Sequence, residues 1–109
     1  MEPVSLTAVA DEQLAAARQA SSGRAARTLH GGQGARLRQA VLALLAGQEL
    51  AEHENPGEAT LHVLRGRIRL RTATETCDAA AGDHVVIPPA RHAVEALDDA
   101  AVLLTALVR

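Results

Sequence analysis

Beyond residue 36 the apolar residues arrive in short runs: Leu61-His-Val-Leu, Ile68-Arg-Leu-Arg, His84-Val-Val-Ile, His92-Ala-Val-Glu and Ala101-Val-Leu-Leu-Thr-Ala-Leu-Val. Each is bounded by Gly, Pro, Asp or Asn, residues that interrupt regular structure, so each run predicts a strand. Strands this short and this closely spaced predict a sandwich or a barrel. Residues 36–46 fit two patterns, because Leu37, Val41, Leu42, Leu44 and Leu45 would line a helix as readily as a buried strand. The strands that follow favour the strand. Upstream the pattern changes. Residues 8–20 are strong helix formers, Thr7 suits the N-cap, Asp11 and Glu12 suit the early turn, and Ser21-Ser22-Gly23 ends the segment. A strand over 24–30 and a loop at Gly31-Gly32-Gln33-Gly34 complete the outline. The expectation is an N-terminal helical arm over 1–23 and one barrel domain over 24–109.

Composition narrows the chemistry. The 109 residues suit one core, and with no aromatic residue that core must be Val, Leu, Ile and Ala. No aromatic face exists to stack a base or a sugar or to cage a cation. The net charge of −2 and the absence of a dense basic run disfavour a nucleic-acid surface. No apolar run reaches membrane length and the N-terminus lacks a basic, then apolar, leader pattern, so the expectation is a cytoplasmic protein that engages no membrane. Cys77 is the single cysteine, which excludes an intrachain disulfide and fits a reducing compartment. Thr-Glu-Thr-Cys-Asp reads as an acidic loop, a poor setting for a reactive thiolate.

Two glycine-anchored blocks carry the candidate chemistry. In the first, Gly47 opens a short strand carrying Leu50 to His53, Asn55-Pro56-Gly57 turns the chain, and a strand over 60–65 returns to Gly66. In the second, Gly82-Asp83 turns, Pro88-Pro89 blocks further central pairing, and His92 starts the next strand. Each block delivers one histidine at a strand edge beside a turn. A small barrel brings the two together.

The two blocks resemble the motifs of the cupin family, over residues 36–109. The first cupin motif runs Gly, five residues, His, one residue, His, three or four residues, Glu, six residues, Gly; here Gly47, His53 and Gly66 match. The second runs Gly, five residues, Pro, one residue, Gly, two residues, His, three residues, Asn; Gly82, Pro88 and His92 match. The resemblance implies a mainly β fold, a small jelly-roll (double-stranded β-helix) barrel with a short N-terminal helix. It also implies a divalent metal (Zn, Fe, Mn or Ni) held by three His and one Glu. The chain departs from the pattern in five respects: Asn55 stands at the second His slot, Ala59 at the Glu slot, Ala90 at the Gly and Ala96 at the Asn, and one residue is missing before His92. Two of the four metal ligands remain. His53 and His92, with Glu58 as a weak third, form the metal set the resemblance allows; Glu58 lies one place from the Glu slot and faces outward unless a bulge intervenes.

The remaining polar residues sort by strand phase. His62 falls on the face opposite Ala59, an outer or dimer surface; His84 reads as exposed or capping and His30 as surface. Arg65, Arg67, Arg69 and Arg71 alternate, and a bend at Gly66 puts Ile68 and Leu70 inside and the arginines in water. Arg91, beside His92, is the candidate anion contact. These readings converge on a small-molecule-binding or sensory module with His53, Asn55, His92 and Arg91 at its ligand site. The alternative is a metal-dependent oxygenase, isomerase or lyase. The cupin resemblance further implies a homodimer, for which the apolar C-terminal strand and the N-terminal helix could provide the interface; such pairing would also cover open sheet edges.

Overall fold

The computed structural model describes residues 1–53 and 57–108, with the backbone alone for Glu52 and His53. The turn expected at Asn55-Pro56 lies outside the described residues. One helix, α1 (Leu6–Gln19), precedes nine strands: β1 (Arg24–His30), β2 (Leu37–Leu44), β3 (Glu49–His53), β4 (Gly57–Arg65), β5 (Arg67–Arg71), β6 (Thr76–Ala80), β7 (His84–Val86), β8 (His92–Ala96) and β9 (Ala100–Val108). The helix begins earlier than the composition predicts. Ser5, not Thr7, is the N-cap, and its Oγ accepts a hydrogen bond from the Ala8 amide at 3.2 Å, so Leu6 and Thr7 are already helical. Ala20 is the C-cap rather than the last helical residue. Cys77 lies on a strand, not in an acidic loop, because β6 pairs antiparallel with β5 along its whole length.

The strands form two antiparallel sheets, ordered β1-β2-β9-β4-β7 and β3-β8-β5-β6. Strands neighbouring in sequence repeatedly fall on different sheets, so the chain winds back and forth between them as a jelly roll. Period-two alternation then sorts every strand into an inner and an outer face. On β4 Ala59, Leu61 and Val63 point in; on β9 Ala100, Val102, Leu104 and Ala106 do so, and Ile68, Leu70, Val94 and Ala96 meet them from the second sheet. Leu61, Ile68 and Val63 are essentially inaccessible, each burial contributing roughly 1.5–3 kcal/mol.

The outer face of the larger sheet is covered separately. Ala10, Leu14 and Ala17 of α1 pack on Ala43 of β2 and Ala101 of β9, with Ala25 and Leu64 at the margin. Alanine on both sides lets the helix approach closely. Arg27–Glu12 (3.3 Å) and Arg65–Asp11 (3.1 Å) fasten its flank to the sheet.

Candidate functional site

Residue register fixes what faces the barrel interior. On β8, His92 alternates in phase with inward Val94 and Ala96 and is only 2 % exposed. Its position follows from the sequence before it. Pro88 and Pro89 end β7, and the Ala90 amide donates to the Pro88 carbonyl at 2.8 Å in a tight turn. That turn presents the Ala90 carbonyl to His92 Nδ1 at 2.9 Å. A carbonyl can only accept, so Nδ1 carries the proton and Nε2 is the ring's second polar atom. This hydrogen bond fixes both the ring plane and the tautomer.

The two histidines of the blocks come together: His53 and His92 are Cα partners across β3 and β8, past a bulge that follows Leu50. Asn55 lies outside the described residues. Arg91 is exposed at the entry to β8. Glu58 is exposed on the larger sheet, opposite Leu107 and out of phase with buried Ala59, so it shares the outer phase of His62.

The residues test the expected metal set directly. His92, with Nδ1 donating to a backbone carbonyl, has the arrangement that holds a ligating imidazole in place. The carboxylate position does not fit, because Ala59 is an apolar core residue there and no bulge between Glu58 and Val63 turns Glu58 inward. Among the described residues no three His, Cys, Asp or Glu side chains converge.

A pocket of about 600 Å³ opens at one end of the barrel, at the C-terminal end of β9. Ala40, Leu104, Ala106 and Val108 supply apolar wall, and Thr28, His30, Arg38 and Gln39 the polar groups. Sequence reading placed the strand carrying Arg38 and overlooked the residue. The signal was present: Arg38 is in phase with Ala40, Leu42 and Leu44, and the inner phase of Leu42 and Leu44 reaches the core.

The outer face of the smaller sheet carries the arginine series. Gly66 adopts φ +71° and bends the chain as it passes from β4 in the larger sheet to β5 in the smaller one, where Ile68 and Leu70 face inward and the arginines outward. Arg67 grips Asp98 (2.8 and 3.4 Å), Arg69 grips Asp78 (2.7 and 3.0 Å), and Arg71 bridges Glu49 (2.9 Å) and Glu95 (3.6 Å). Hydrogen bonds from Arg69 and Arg67 hold the Asp78 and Asp98 carboxyls below the usual carboxylate range. These arginines are engaged with carboxylates on the exterior and do not line the barrel interior.

The comparisons agree with this geometry. No curated protein matches the chain. A conserved protein of unknown function from Streptococcus pyogenes is 28 % identical, with 83 % of this chain and 78 % of that one superposed at a TM-score of 0.74. A cupin superfamily protein from Desulfitobacterium hafniense is 17 % identical, covering 79 % and 78 % at a TM-score of 0.72. The DMSP lyase DddQ from Ruegeria pomeroyi is 24 % identical at a TM-score of 0.66, over 77 % of this chain and 46 % of that enzyme. Residues 40–108 match the family model described as the cupin domain, and the two glycine-anchored blocks and the inward His92 fall within that span: the chain belongs to the cupin family.

Proposed function

We propose that this cupin is a small-molecule-binding or sensory module whose ligand enters the open end of the barrel. The pocket of about 600 Å³ carries the reading: its wall is largely aliphatic, with a few polar groups at Thr28, His30 and Arg38, the usual make-up of an organic ligand site. His92, buried on the facing sheet and oriented by its Nδ1 hydrogen bond to the Ala90 carbonyl, lies outside the lining of this pocket and enters the proposal as a polar group that a ligand reaching across the barrel would meet. His53, Asn55 and Arg91 belong to the same proposal as further candidate ligand contacts.

One observation favours a second reading, a metal-dependent lyase, isomerase or oxygenase. The Nδ1 hydrogen bond of His92 leaves the ring oriented as a ligating histidine would be. A bound Zn, Fe, Mn or Ni would supply a Lewis acid or activate oxygen. The loss of the carboxylate at Ala59 weighs against it.

The test is a thermal-shift screen of organic small molecules run beside reconstitution with each of the four metals, on the wild type and on His92→Asn. The binding-module reading expects organic ligands that raise the melting temperature of the wild type by several degrees, at least half of that shift being lost in His92→Asn. About one equivalent of tightly held metal, lost in His92→Asn, would replace it with the metal-dependent reading. Sedimentation of the same sample tests the expected homodimer, which Leu37 and Leu107, exposed beyond α1 on the outer sheet face, would help to close.

A further inference from the structure

The inner face of the larger sheet carries a guanidinium, and the motif's carboxylate position on it is an alanine. Ala59, at the position where the family motif places a glutamate, is the β4 partner of Ala106 on β9. Ala106 is in turn the β2 partner of Arg38. Arg38, Ala106 and Ala59 thus form one cross-strand row on three adjacent strands, and all three belong to the inner phase. Along that row the carboxylate is absent and a guanidinium is present.

Arg38 is exposed at the rim of the pocket, and its stem is the part that packs. Its stem lies over Gly31, where a Cβ would come within 3.2 Å of Arg38 Cγ, so the glycine makes room for the side chain. The guanidiniums of the β4–β5 series are committed to Asp11, Asp98, Asp78, Glu49 and Glu95, whereas no carboxylate among the described residues pairs with Arg38. Beside it the pocket wall is hydrocarbon from Ala40, Leu104, Ala106 and Val108.

We propose that the pocket takes an aliphatic monocarboxylate, its carboxylate held by the fork of Arg38 and its chain laid along Ala40, Leu104 and Ala106. This deepens the small-molecule reading and rests on it. A guanidinium matches a carboxylate in shape and offers two parallel donors. Among the described lining residues Arg38 is the one permanent cation, which balances a single negative charge and leaves a phosphate dianion undercompensated.

The test is calorimetric titration of the full chain with octanoate, 1-octanol and octyl phosphate, on the wild type, Arg38→Gln and Arg36→Gln. Arg36 is a neighbouring exposed arginine outside the pocket lining, so its variant controls for net charge. Octanoate should bind the wild type at least tenfold more tightly than octanol, and Arg38→Gln should erase that preference while Arg36→Gln retains it. Equal affinity for octanoate and octanol, both unmoved by Arg38→Gln, would overturn the carboxylate assignment and leave the pocket reading standing. Tighter binding of octyl phosphate would overturn the choice of a single charge. Binding of none of the three would overturn the inference, and the wider screen with His92→Asn then decides the pocket reading independently.

Discussion

Gly66 shows how one residue sets the orientation of a whole strand. It sits at φ +71°, and a Cβ built on it would collide with the Asp99 carbonyl oxygen, a backbone atom that cannot rotate aside. Both strain and overlap oppose any side chain there. Gly66→Ala should cost roughly 2–5 kcal/mol in denaturant unfolding. Gly34→Ala isolates the first effect, since Gly34 has φ +86° with nothing within 4 Å of its would-be Cβ. It should cost only about 1–2 kcal/mol. Equal losses at the two positions would contradict the overlap. At this scale the sequence was informative wherever a residue is conformationally singular. Gly47, Gly66, Gly82 and the Pro88-Pro89 pair stood out at their turns, and the histidine that follows them is where their geometry requires. Arg38 was harder to see because an arginine in a strand is ordinarily a solvent residue. Only the register across β9 reveals that its row is an inner one.

At the scale of elements, the ion-pair ladder links strands distant in sequence. Arg67 and Arg69 on β5 each grip an aspartate with two hydrogen bonds, one on β6 and one in the turn before β9. Both carboxyls titrate below their ordinary range, so the folded state binds fewer protons than the unfolded chain as the medium is acidified. The stabilisation is therefore complete above the ordinary Asp value of about 4 and is lost as pH falls through the lowered folded-state values. The melting temperature of the wild type should exceed that of Asp78→Asn/Asp98→Asn at pH 7, and the gap should close on titration below about pH 4. A gap that stays constant down to pH 2 would contradict this origin. Hydrophobic pattern found the strands whose aliphatic side chains reach the core, β2, β4, β5, β8 and β9 among them. It missed β6, whose single buried residue is Ala79 and whose pairing comes from Asp78 opposite Arg69. The helix limits moved for a similar reason, because Ser5 rather than Thr7 reaches the Ala8 amide.

At the scale of the molecule, the fold was legible because a barrel is specified redundantly by turns, alternation and core-facing aliphatics. The site was only half legible. The inward histidine followed from its motif, but the pocket wall comes from β1, β2 and β9, whose side chains carry no motif and meet only through sheet order. What results is a barrel with an oriented, inward histidine, an alanine at the motif's glutamate position and an aliphatic pocket wall. β9 itself supplies the most direct test, since Leu104 and Val108 line the pocket while Leu103 and Leu107 alternate onto the outer face. Methyl-labelled protein titrated with octanoate and 1-octanol, followed by carbon–proton correlation spectra, reports both faces of one strand at once. Saturable shifts at Leu104 and Val108 with Leu103 and Leu107 unmoved are predicted. Shifts of equal size on both faces, or none at saturating probe, would contradict a ligand site in the mouth of this barrel.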